Sequence, residues 1–233
     1  MMIFSGSTTY LSEFLKYIAE KSSVGENQLP SLSILSKELK ISVASLREQL
    51  EVARVMGFVE VKPRTGIRWI PYDFTPSLLL SVTYAVTISE DFFEHFRDLR
   101  NHLEAAYFLE SVSKLERYDI DEMSSIVENA ENKMQSIPPQ LPHYEHRKFH
   151  AIIFSKLSNP FVQSIFTVYW DIYEYQGYAI INDLDYLRRV WHYHDSVLAS
   201  IKSNNINHAL DLFMEHKDLI IRITKNVPSQ TFE

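Results

Sequence analysis

The chain has 233 residues, 45% of them hydrophobic and 23% charged, with 5 glycines and no cysteine. That length suits two unequal domains; scarce glycine disfavours a glycine-rich phosphate-binding fold, and the lack of cysteine excludes disulfides and thiolate metal sites. The net charge of -7 speaks against nucleic-acid binding until the chain is divided, because residues 1–72 carry 9 Lys/Arg against 7 Asp/Glu and residues 73–233 carry 14 against 23. The first part is thus mildly basic and the acidity belongs to the second. No signal-like stretch opens the sequence, and apolar runs such as Leu78 to Leu80 fall far short of a membrane span, so a cytoplasmic protein without a membrane partner is expected.

Leu11, Phe14, Leu15 and Ile18 recur with helical spacing, with Thr8 or Thr9 as a cap. After a polar stretch containing Gly25, Leu29-Pro30-Ser31 opens a second helix that buries Leu32, Leu35 and Leu39. Ser42 is placed to cap a third, from Val43 to Val55, with Leu46, Leu50 and Ala53 inward and Ser45, Arg47 and Glu48 outward. Two short helices joined by a tight turn form a helix-turn-helix, whose second helix can lie in the DNA major groove. Two β-rich runs follow, Gly57 to Val61 and Ile67 to Ile70, around the basic turn Lys62-Pro63-Arg64-Thr65-Gly66. They predict a wing. Arg47 pairing with Glu51 on a solvated face is the competing reading of that arginine.

Pro71 and Pro76 bracket a linker, 72–77, which separates a first domain, 1–71, from a second, 78–228. Beyond it the periodicity predicts helices at 77–87, 90–115, 119–135, 141–158, 160–177, 183–203 and 206–226, an all-α antiparallel bundle. His146 and His150, four apart, share a helix face. His194 and His216 lie on the last two helices, with the Asn204-Asn205 turn about midway between them. Antiparallel pairing would set the two rings at one height. Three or four imidazoles converging in a bundle suit Zn, Ni or another divalent transition metal, whereas separate hydrogen bonds inside the bundle are the alternative. His143, His192 and His208 read as surface residues. Tyr169, Trp170, Tyr173 and Tyr175 supply aromatic surface for either a pocket or the core.

The first part resembles the GntR family of bacterial regulators, through Leu29-Pro30-Ser31, Ser42 to Leu50, Met56-Gly57-Phe58-Val59 and Thr65-Gly66. The resemblance implies a winged helix-turn-helix that contacts operator DNA through Ser31, Ser42, Ser45, Arg47, Lys62, Arg64 and Arg68. The family's Glu-Arg after the first serine is here Leu32-Ser33, and its Arg after the recognition-helix serine is Val43. Two customary arginines are therefore missing, and each lost phosphate contact weakens binding and flattens its salt dependence.

The remainder resembles the FCD sensor domain, through Leu99-Arg100-Asn101-His102-Leu103-Glu104-Ala105, Phe149-His150, Ser158-Asn159-Pro160 and the His194 to His216 interval. That resemblance implies His150, His194 and His216 as metal ligands, with His146 where the family usually has Asp. It also implies a small organic acid effector held near the metal, for which Arg100 and Asn159 are candidates; an Arg100–Glu104 pair within the helix is the alternative for Arg100.

The expected protein is a mainly α homodimer that regulates transcription, its DNA affinity set by a carboxylate effector beside a metal. A metal- and ligand-binding dimer with a degenerate DNA-binding head is the second reading. A metal-dependent hydrolase is the third and is disfavoured, because no His-Glu-x-x-His arrangement occurs and Glu145 should point about 100° away from His146 around the helix. No enzyme activity is expected.

Overall fold

The computed structural model describes residues 10–22, 28–63, 66–177 and 183–224, with side chains as far as His216. The expectations for Thr8, Thr9, Gly25, Arg64, Thr65 and the break at Ile181-Asn182 lie outside the described residues. The chain divides into two compact units, Met1–Leu80 and Ser81–Glu233.

In the first unit α1 (Glu13–Ser22), α2 (Leu32–Leu39) and α3 (Val43–Val55) are followed by β1 (Val59–Lys62) and β2 (Gly66–Trp69). Leu11 lies before α1 and is exposed; Phe14 and Ile18, one turn apart, are the buried pair of that helix. Ser12 starts α1, its Oγ accepting from the Leu15 N–H at 3.3 Å. Ser42 caps α3 as its sequence position foretold, accepting from the Ser45 N–H at 3.2 Å. Lys40 takes a left-handed conformation at the end of α2 and turns the chain into α3. Leu35, Leu46 and Ala53 from α2 and α3 meet Phe14, Ile18, Val59 and Ile67 in one small core. That seam fixes the angle between the two helices.

The wing is an antiparallel pair in which Val59 faces Trp69 and Lys62 faces Gly66. Its first strand starts two residues later than the hydrophobic run suggests. Gly57, with φ +77°, ends α3 instead, and a Cβ there would sit 2.7 Å from the Pro76 side chain. Only glycine fits that turn.

α4 (Thr75–Ile88) runs from the end of the first unit into the second. Asp73 Oδ1 accepts from the Thr75 N–H at 2.9 Å and begins this helix. The second unit continues with α5 (Asp91–Val112), α6 (Arg117–Gln135), α7 (His143–Ile153), α8 (Pro160–Tyr175), α9 (Leu184–Lys202) and α10 (Ile206–Thr224). The helix starts carry their own chemistry: a Glu116/Asp119 capping box on α6, Asn159 with Pro160 on α8, and Asp183 on α9. Asn204, with φ +58°, reverses the chain so that α9 and α10 pack as neighbours.

The bundle core is aromatic at its centre, with Phe108, Phe149, Trp191 and Phe213 fully or almost fully buried. α7 is shorter than its periodicity suggests. Gln163 explains the difference, because its Nε2 donates to the Phe154 carbonyl (2.7 Å) and the Leu157 carbonyl (3.2 Å). Those carbonyls are satisfied from α8, so the chain leaves the helix after Ile153 without a polar penalty.

Candidate functional site

Two concavities differ in chemistry. One of about 620 Å³ lies in the first unit against α1, Phe58, Trp69 and Tyr72, and no charged side chain lines it. The other, of about 140 Å³, lies in the second unit and opens onto His150, Glu104 and Trp170. The ionisable groups are concentrated at the second.

His146 and His150 stand one turn apart on α7, and the reversal at Asn204 brings His194 of α9 beside His216 of α10. All four rings are buried, and each offers a nitrogen within 4.8 Å of those of the other three. His194 and His216 are closest, with ring centroids 4.4 Å apart, and His150 Nε2 is 3.3 Å from His194 Nε2. Trp170 packs 4.9 Å from the His146 ring, Phe149 4.6 Å and Trp191 4.9 Å from the His194 ring, and Phe213 5.2 Å from the His150 ring. This aromatic wall buries the rings and makes charge on them costly.

The proton affinities follow from that wall. Burial drives His146 and His216 well below the ordinary histidine range, and the neighbouring His194 and His150 rings lower both further. His194 is pushed down to about 3, chiefly by burial, with the Val190 carbonyl pulling the other way. Neutral imidazoles with lone pairs are the state in which histidine coordinates a metal.

Hydrogen bonding inside the bundle accounts for only part of the set. His146 Nε2 and both nitrogens of His216 are buried without a hydrogen-bond partner. Such orphaned polar atoms cost free energy unless something satisfies them. A cation shared by the four rings would do so, and the donor set fits a divalent transition metal.

Arg100 lies against this cluster from α5. It is 2% exposed and lies over the Tyr169 ring at 4.4 Å, with Nη2 2.6 Å from Glu104 Oε1 and 3.1 Å from His150 Nδ1. Of the two readings of Arg100 raised from the sequence, the pair with Glu104 is present, and the side chain also touches the cluster. Asn159 serves as the N-cap of α8, accepting from the Phe161 and Val162 N–H groups at 3.0 and 3.4 Å. The 140 Å³ cavity is lined by neither Arg100 nor Asn159 but by Glu104, Arg147, Gln163 and Thr167 among its polar residues. Arg147 sits at its edge, tied to Asp171 at 2.8 Å and Glu174 at 3.1 Å. Of the cavity's polar residues, Arg147, Gln163 and Thr167 escaped the sequence reading. The spacing of Gln163, Phe166, Thr167 and Trp170 at i, i+3, i+4 and i+7 on one helix would have pointed to Gln163 and Thr167.

Glu145 is held by Lys133 at 2.7 Å and does not face the histidines. His192 and His208 are exposed as expected, while His143 is half-buried.

In the first unit Arg47 is exposed on α3, and Glu51, its partner in the competing reading, is bonded to Arg54 instead, at 2.5 Å. Among the described residues Arg47 has no ion pair. Ser45 Oγ accepts from Gln49 Nε2 at 3.1 Å, and Ser31 Oγ lies 3.0 Å from Ser33 Oγ at the start of α2. Lys62 pairs with Glu60 at 2.8 Å, and Arg68 is exposed opposite Glu60 in the wing register.

Comparison with known proteins adds three findings. The profile of the FCD domain matches residues 95–219, more than half of the chain. A GntR protein of Streptococcus agalactiae has a similar fold, with a TM-score of 0.62 and 17% identity over 90% of this chain and 95% of that one. E. coli McbR/YncC aligns with a TM-score of 0.51 and 16% identity over 91% and 94%. No curated protein matches by sequence. Among the described residues no helix is long and apolar enough to cross a membrane.

Proposed function

The chain belongs to the FCD domain family, and on that premise we propose that it is a transcriptional regulator whose helical unit senses a small organic acid beside a metal ion. The convergence of His146, His150, His194 and His216 carries the reading, since all four rings are buried and His146, His194 and His216 each keep a nitrogen without a hydrogen-bond partner. They would hold a divalent ion, Zn or Ni by donor type, which supplies positive charge to attract and orient an anion. The four rings bring no negative charge, and Arg100 already answers Glu104. A carboxylate in the adjoining cavity would therefore complete the electrostatics, within reach of Arg147, Gln163 and Thr167. About 140 Å³ is below the ~300–1,000 Å³ of pockets for drug-sized ligands, so the effector is small.

The winged helix would read operator DNA through Ser42, Ser45 and Arg47 on α3 and through Lys62, Arg64 and Arg68 in the wing, with Ser31 at the start of α2 on a phosphate. Fluorescence anisotropy on the promoter fragment of its own gene region tests this. Binding should weaken with salt, and Arg47→Ala should cost about 1–3 kcal/mol if the side chain reads a base, or lower the salt slope by about one if it meets a phosphate. Unchanged binding by Arg47→Ala would instead favour the degenerate-head reading, which the absent arginines make the second choice.

A homodimer is part of the same reading, because one recognition helix covers only a half-site. α4 has no charged residue along its whole length, and Leu80, Tyr84 and Ile88 stand exposed at intervals of four. A second copy would cover that stripe without like-charge repulsion. Light scattering is expected to give a dimer for the native chain and a monomer for Tyr84→Asp; a Tyr84→Asp dimer would move the interface elsewhere.

A further inference from the structure

His150 Nδ1 faces two groups with opposite demands. Arg100 Nη2 lies 3.1 Å away and can only donate, whereas Glu104 Oε1 lies 3.4 Å away and can only accept while ionised. The other ring nitrogen, Nε2, points at His194 and the rest of the cluster. When Arg100 donates to Nδ1, the ring proton sits on Nε2, and His150 presents a hydrogen rather than a lone pair to its neighbours. When Nδ1 donates to Glu104, Nε2 is free to act as a ligand. The Arg100–Glu104 pair spans just over one helical turn and is almost completely buried, so both groups are held against the ring together.

We propose that Glu104 is the positioning residue of the histidine cluster and Arg100 its antagonist: Glu104 fixes the His150 tautomer that can bind a cation, and Arg100 fixes the one that cannot. The inference rests on the metal reading above and adds that loading of the cluster is coupled to α5. Occupancy requires the Arg100 head to give up Nδ1. Carboxylates that receive the second N–H of a ligand histidine raise its basicity and hold its orientation. Here the carboxylate and its competitor sit four residues apart on one helix, so a shift of α5 can exchange them.

The test compares Ni²⁺ binding by full-length protein, stripped with EDTA, across four forms: native, Glu104→Gln, Arg100→Met and the double variant Arg100→Met/Glu104→Gln. Glu104→Gln should bind about 10- to 100-fold more weakly than native, the range found for lost outer partners of metal ligands. Arg100→Met should bind at least as tightly as native. A purely structural ion pair would make both single variants weaker alike, and that result overturns the proposal. Removal of one buried charge can unfold the unit; the double variant removes both charges and should still bind at least tenfold more weakly than Arg100→Met. Equal affinities of those two forms would also overturn it.

A metal-independent reading comes from long-range ¹H–¹⁵N NMR of the ring nitrogens, with the His150 signal identified by its loss in His150→Gln. The proton should sit on Nε2 in the native metal-free protein and on Nδ1 in Arg100→Met. A proton on the same nitrogen in both would sink the idea. Failure of the native protein to bind Ni²⁺ would count against the metal reading alone, leaving the tautomer result to decide the role of the pair.

Discussion

Stripped of metal, the second unit is expected to lose stability steeply as the pH falls from 6.5 towards 5. His146, His194 and His216 are buried as neutral rings, and their folded proton affinities lie below the unfolded value of 6.5. The sign is that of a depressed base. Above 6.5 neither state takes the proton, so the stability is present in full. Below it the unfolded chain is protonated and the folded one is not, until the pH reaches the folded value, about 3 for His194. Each ring then costs about 1.4 kcal/mol per pH unit, or some 2 kcal/mol at pH 5. Three rings approach ~6 kcal/mol as an upper bound, a large share of the ~5–15 kcal/mol that holds a domain together. Circular dichroism melts between pH 7.5 and 5 in EDTA would show this. A melting temperature that stays level across that range would mean that the rings are hydrated rather than buried.

The second large effect is stabilisation by the ion itself. A ligand that binds only the folded state adds about 4 kcal/mol at a thousandfold excess over its dissociation constant. At about 2–4 °C per kcal/mol for a chain of this size, Zn²⁺ or Ni²⁺ should raise the melting temperature by roughly 10 °C. His216→Ala removes a ring that has no hydrogen bond to lose, since neither nitrogen has a partner. It should therefore lose only the packing of a buried ring at neutral pH, and gain little from added metal. Differential scanning calorimetry with and without metal measures both quantities. An undiminished metal shift in His216→Ala would exclude that ring from the site.

The helices were legible because their caps and breakers are local. Ser42, Asn159-Pro160 and Asp183 fix helix starts by their own side chains, and the Asn204 reversal predicts the pairing of α9 with α10. The histidine convergence was legible for the same reason, since spacing within a helix and distance from a turn determine height in a bundle. The cavity was not. Arg147 and Gln163 reach it through contacts across helices, and Gln163 owes its place to carbonyls freed where α7 stops early. The competing reading of Arg47, a pair with Glu51, does not hold either. Glu51 stands four residues after Arg47 but three before Arg54, and the latter geometry wins with two hydrogen bonds. Both spacings are allowed on a helix, and no one-dimensional rule ranks them.

The aromatic wall around the histidines also gives the protein its own optical reporter. Of three tryptophans in the chain, Trp170 and Trp191 lie within 5 Å of a cluster ring by centroid, and the third, Trp69, belongs to the wing. An open-shell ion such as Ni²⁺ or Cu²⁺ at that distance quenches indole emission, whereas closed-shell Zn²⁺ changes it only through local polarity. On the proposed function, occupancy, competition between ions and the arrival of an effector in the neighbouring cavity would therefore all be followed by fluorescence, without a label and at micromolar protein.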